Sequence, residues 1–236
     1  MSRRSAAGFT LVELLTVVAI IGILAAIVIP TASGARGAAN KARTRAQFSQ
    51  WAVAFEAFRQ EYGTYPQLYT AGGQKLVNQG ATTNAQQEHL FHDILTGQRR
   101  DPSATNWLAT RPSRNPPFPE TQNTRRIRFV SFADSDFVTQ ADVNSGHNPT
   151  TQLNFLRDSF HNTSIAVITD SNLDGVINSR DTSGGYPAVT VAGSTVTLRP
   201  TTVLPAGTTG GVHAGVIFYS APPGATTEAD LIISAK

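Results

Sequence analysis

Apolar positions fall into three regimes along the chain. From Phe9 to Ile29 they are nearly continuous, broken by Thr10, Glu13, Thr16 and Gly22. As a helix these residues span about 31 Å, the thickness of a bilayer's hydrocarbon core. After Pro30 the rhythm becomes helical. Alanines at 32, 35, 38, 39, 42 and 46 make a slim shaft, and Phe48, Trp51, Phe55, Phe58 and Tyr62 then recur at i, i+3, i+7, i+10 and i+14. That spacing puts the five rings on one face, which is expected to lie on a sheet. Gly63 is the expected C-cap, with Pro66 just beyond.

From about Arg125 the period shortens to that of strands. They are predicted over Arg126–Phe132, Ser164–Thr169, Ala188–Val191, Ser194–Arg199, Val212–Ser220 and Asp230–Ser234, with a hairpin turning at Ala192-Gly193. Between the regimes, Asn84–Gly97 reads as a short amphipathic helix, and Thr110–Arg126, rich in Pro, Arg and Asn, as an exposed irregular loop. A long N-terminal helix followed by a mostly antiparallel sheet is an α+β fold.

Glu13 is out of place in an apolar run, since an acid near the centre of a span costs about 2.5–3.5 kcal/mol. A secretory signal would have a shorter core of roughly 7–15 residues followed by small residues. Here the run is longer and Ala6, Ala7 and Gly8 precede it. A plain anchor fits the length, with Arg3 and Arg4 holding the N-terminus in the cytoplasm, but leaves Glu13 unexplained.

Gly8-Phe9-Thr10-Leu11-Val12-Glu13-Leu14-Leu15 closely resembles the cleavage and methylation site of type IV prepilins and type II secretion pseudopilins. The resemblance implies that a membrane aspartic peptidase cuts after Gly8 and N-methylates Phe9, and that Glu13 meets the N-terminal amine of an adjacent subunit. A buried carboxylate persists when a cation is its partner, and cleavage creates one at the same depth. Gly22 and Pro30 stand where helices of that family commonly loosen or bend, and "EYGTYPQ" (61–67) resembles the turn that ends their long helix. Arg36, Lys41, Arg43 and Arg45 make the far side locally more basic, so the orientation rests on the processing site rather than on the positive-inside rule.

Composition then narrows the chemistry. The formal charge is +3, but Arg3 and Arg4 supply two of those positives; from residue 9 on, 17 basic residues face 16 acidic ones. No basic excess remains for nucleic acid. There are no cysteines, so loops outside the cell must be held by packing, hydrogen bonds or a metal. "DSNLDGVINSRD" (170–181) fits the calcium-loop pattern: Asp170, Asn172 and Asp174 as oxygen donors, Gly175 at the turn, the Val176 carbonyl, and Asp181 at the twelfth position. Alternate side chains at this spacing can converge on one hard cation. The same residues also favour an Asx-rich turn without metal. His89 and His92, with Glu88 or Asp93, could share a face as ligands, although their apolar neighbours make them simpler boundary residues.

"RDSFHNTSIAVITDSNLDGVI" (157–177) is similar to a pseudopilin segment that leads through a strand into a D-x-D-x-D-G loop. Asp158, Phe160 and Asn162 keep that pattern. Ser159 replaces a proline and His161 a glycine, so the turn is expected to differ. "FYSAPPGATTEADLIIS" (218–234) resembles the family's C-terminal calcium segment, keeping Asp230 as a second candidate ligand but carrying Pro223 in place of an aspartate.

The expected organisation is a leader (1–8), a membrane or filament-core helix (9–29), its amphipathic continuation (30–62) and an α+β head (63–236). The resemblance implies a single-pass inner-membrane protein with its N-terminus cytoplasmic and its head periplasmic, later drawn into a periplasmic or extracellular filament. It would assemble with other pilin-like subunits through an inner-membrane platform, after processing by prepilin peptidase. No G-x-S-x-G elbow or H-E-x-x-H helix is present, so a tethered hydrolase has no motif behind it. The competing structural reading is a minor, tip-located subunit whose loops bind a surface, DNA or a secreted protein.

Overall fold

The fold was obtained as a computed structural model, which describes residues 10–68, 76–78, 89–98, 119–178, 181–182, 185–201 and 211–234; side chains of 28–33 and 119–120 lie outside that description. The chain divides into two compact units, Met1–Ala42 and Arg43–Lys236. The first helix, α1 (Leu11–Tyr62), carries residues of both and runs as one element through Gly22 and Pro30.

Within the first unit the side chains of α1 are open. Leu11, Val12, Leu14, Leu15, Ile20, Ile21, Leu24 and Ile27 are each more than half exposed. Among the described residues no helix is long and apolar enough to cross a membrane. The described side chains of this apolar run end at Ile27.

Within the second unit α1 does what its aromatic spacing demands. Phe48, Trp51, Phe55 and Phe58 are buried, and Phe218 of the sheet lies against three of them at ring-centroid distances of 6.0, 5.6 and 5.3 Å. Burying such side chains contributes about 1.5–3 kcal/mol each before entropy is counted. Tyr62 closes the stripe, and Gly63, at φ +77°, donates its N–H to Arg59 O at 2.7 Å. A left-handed residue there stops the helix, and glycine adopts it without a Cβ clash.

The main sheet is antiparallel in the order β1 (Ile165–Thr169), β4 (Val216–Ser220), β5 (Ile232–Ile233). Strand alternation splits its side chains between two cores. Ile165, Val167, Val216, Phe218 and Ile232 join the helix-side core. Ala166, Ile168, Ile217, Tyr219 and Ile233 join a second core with Ile177, Tyr186, Val189 and Val191. The second layer includes the hairpin β2 (Val189–Thr190) and β3 (Thr197–Leu198). This is the expected α+β, pilin-like arrangement, with shorter strands than the periodicity predicts.

Residues Arg126–Phe132 are not a strand. Asn123 takes their ladder groups: its Nδ2 donates to Ile127 O, and its Oδ1 accepts from Ile127 N. Phe129 N–H goes to Leu95 O, at the end of α2 (Leu90–Thr96). Gly97 (φ +66°) packs so closely on the Arg126 backbone that a Cβ could not fit. The predicted helix 84–97 is thus seen as α2 with its glycine cap, residues 84–88 lying outside the description. Within the expected irregular loop, Pro119–Gln122 form a helical turn, α3.

Candidate functional site

Gly8 and Phe9 lie outside the described residues. Glu13 is described, and it has a partner within the chain. Its carboxylate accepts from Thr10 N at 2.8 Å and Thr10 Oγ1 at 2.7 Å, while Thr10 Oγ1 accepts from Glu13 N at 3.2 Å. This is a reciprocal capping box, T-x-x-E, which satisfies amide groups that helix geometry leaves unpaired. The signal was legible in the sequence, as a threonine three residues before an acid at the head of an apolar run. Glu13 therefore starts α1 as well as placing a negative charge at its N-terminus.

The acidic loop closes on its own amides. Asp170, buried, accepts from Gly175 N at 2.7 Å and Asp174 N at 3.2 Å. Asn172 donates to Asp174 Oδ2 at 2.8 Å, and Asp174 Oδ1 accepts from Val176 N at 2.9 Å. Leu173 and Gly175 both sit at positive φ, and Ile177 is buried in the second core. Asp181 is placed differently. Its Oδ1 holds Ser171 N and Oγ at 2.8 and 2.9 Å, and its Oδ2 holds Asn178 N at 3.0 Å, so it clasps the loop's ends. Among the described residues no three His, Cys, Asp or Glu side chains gather as a metal cage. In the first half of the loop each amide-bound carboxylate oxygen keeps a second lone pair, the kind of donor a hard cation takes. Asp230 is a cap: its Oδ2 accepts from Thr226 N, Thr227 N and Thr227 Oγ1 at 2.9–3.1 Å.

The turn 158–162 forms a buried polar hub. Asp158 Oδ1 accepts from Phe160 N at 2.8 Å and Asn162 N at 3.0 Å, and its Oδ2 accepts from Ser220 Oγ at 2.8 Å. Asn162 in turn donates to Thr190 O and Ala221 O, both at 2.9 Å, tying the turn to β2 and to the end of β4. Burial pushes the Asp158 carboxyl up to about 6, against the pull of the Ser220 hydroxyl and the two amides. Ser159 and His161 each have a contact of their own. Ser159 N–H donates to buried Thr44 Oγ1 of α1 at 3.3 Å, which a proline could not do. His161 has a left-handed backbone, at φ +62°, a conformation that favours glycine. Its imidazole lies 2.9 Å from Asp142 and stacks on His147 at 4.4 Å. Burial and the adjacent Arg157 push His161 down, with Asp142 opposing. Burial works against the charge on Asp142, but the Thr139 amide and hydroxyl, Arg157 and His161 hold it below the ordinary carboxylate range.

His89 and His92 do not converge as ligands. His89, buried, faces Asn78 Oδ1 at 2.9 Å and caps α2, while His92 pairs with Asp93 at 3.0 Å. Asn78 and Asn123 each tie segments that are distant in sequence, and no local pattern marks them.

Comparison with known proteins places one match on this architecture. Residues 3–29 match the prokaryotic N-terminal methylation motif, the signature of type IV pilins and pseudopilins. No curated protein and no solved structure matches the chain.

Proposed function

We propose that this chain, which carries the pilin signature at its N-terminus, is a structural subunit of a type II secretion pseudopilus or a type IV pilus. It is cut after Gly8, methylated on Phe9, and assembled through α1. The reading is carried by that signature together with the exposed apolar side chains of Leu11–Ile27, which lie within it. A face of that kind is covered by lipid before assembly and by neighbouring helices after it. The motif implies assembly with other pilin-like subunits and processing by prepilin peptidase. On this reading the chain is the peptidase's substrate, and Glu13 exchanges its Thr10 contacts for the methylated amine of a neighbouring Phe9.

Mass spectrometry of the mature protein tests the processing: retention of Met1–Gly8, or an unmethylated Phe9, overturns it. Two variants separate the roles of Glu13. Glutamine can serve in a capping box but has no charge. Glu13→Gln is therefore expected to be processed normally yet to yield few filaments. Normal filaments from Glu13→Gln, with loss in Glu13→Ala, would assign Glu13 to helix capping alone.

We also propose that the acidic loop takes up calcium, held by Asp170, Asn172, Asp174 and the Val176 carbonyl, with Asp181 fastening the loop ends. The cation would neutralise the carboxylates and stabilise a cysteine-free head.

A further inference from the structure

The loops of the head enclose a broad groove of about 890 Å³ between residues 146–152, 160–164 and 190–195. Among the described residues no Asp, Glu, Lys or Arg lines it, in a chain where 15% of residues are charged. The charges beside it, Asp142 and Arg157, stand behind His161 and pair with each other at 3.5 Å, so the described walls themselves present no counter-charge to a charged ligand. The rim carries an exposed ring, His147, whose face is braced by the nearly parallel His161 ring, 18° between planes. Ser145 lies against His147 Nδ1 and Asp142 against His161 Nδ1, so both rings are held in place. Uncharged hydrogen-bonding groups surround them: Gln152, Thr190 and Ser194, together with Asn148. Asn148 is buried and gives its Nδ2 to Gln152 Oε1 and His161 O, both at 2.9 Å, while its Oδ1 has no hydrogen-bond partner.

A braced flat ring beside uncharged amides and hydroxyls, in a wide open groove, suits a ligand with apolar C–H faces and many neutral hydroxyls. We propose that this groove binds a neutral oligosaccharide, with His147 as the stacking platform and Gln152, Thr190 and Ser194 as its polar contacts. A sugar ring laid on His147 presents its hydroxyls at the edge, where these side chains can exchange hydrogen bonds with it. The site depends on the head alone, so its failure would leave the filament reading to the Glu13 variants.

The test uses the mature full chain in a detergent without a sugar headgroup, titrated with neutral glucan, galactan and N-acetylglucosamine oligosaccharides and followed by calorimetry. Saturable binding to at least one is expected. His147→Ala should weaken it about tenfold, the equivalent of one lost stacking contact, with the thermal midpoint unchanged. His147→Phe should restore it. Absence of binding at millimolar sugar, binding indifferent to both His147→Ala and Thr190→Val, or a preference for anionic sugars or a peptide overturns the proposal.

Discussion

Asp158 gives the head a pH dependence of unusual sign. A carboxyl whose folded pKa is raised binds more protons folded than unfolded. Its contribution to stability is complete below the unfolded value and is lost as pH rises through the folded one. With a folded pKa of about 6 against 3.8, at 1.36 kcal/mol per unit, the full effect is about 3 kcal/mol, of which about 2 kcal/mol is lost between pH 4 and pH 7. Asp158→Asn imitates the protonated form. Its carbonyl can still accept from Phe160 N and Asn162 N, and its amide can meet Ser220 Oγ as donor. Urea unfolding of the mature chain and of the variant, in the same detergent at several pH values, measures the difference. Asp142 and His161 are lowered groups, each losing stability as pH falls, but both are present in the two proteins and cancel. The variant should gain on the natural chain by about 2 kcal/mol from pH 4 to pH 7. A flat difference, or one in which the natural chain gains as pH rises, would refute the reasoning. Asp158→Ala provides the contrast: two amides and a hydroxyl are left without a partner, at about 2–4 kcal/mol across the whole range.

His161→Ala and His161→Gly both remove the imidazole, but only glycine suits φ +62°, so the glycine variant should be the more stable by about 1 kcal/mol in chemical denaturation; equal values would mean the backbone there relaxes freely. If calcium occupies the acidic loop, chelation should lower the thermal midpoint, by an amount set by about 2.7 kcal/mol when the free ion stands at 100 times its dissociation constant. Asp174→Ala should abolish that chelator effect, and a melt unmoved by chelator in the natural chain would sink the site.

Much of the helix could be read locally. The rings from Phe48 to Tyr62 recur at helical spacing, and the structure buries them against Phe218 on the face the spacing names. The strands were legible only in part, because alternation shows that a segment can pair but not whether its ladder groups are already taken. Residues 126–132 alternate well enough, yet Asn123 had claimed the Ile127 amide and carbonyl. In the acidic loop the local spacing gathers Asp170, Asn172 and Asp174 into one hydrogen-bonded turn, while the contacts of Asp181 depend on its approach to Ser171 and Asn178. Glu13 lies between these cases, its capping box written in four consecutive residues.

By itself the sequence determined whatever acts over a few residues or one helix face: the N-terminal methylation motif, the start of α1, its aromatic stripe and its glycine stop. Those features depend on spacing along one chain segment, which a helix follows residue by residue. Tertiary structure alone decided the polar hub of Asp158, Asn162 and Ser220, the bracing of His147 by His161, and the uncharged groove beside them. Each depends on which distant segments arrive together, and that is settled by the packing of two cores on the two faces of one sheet.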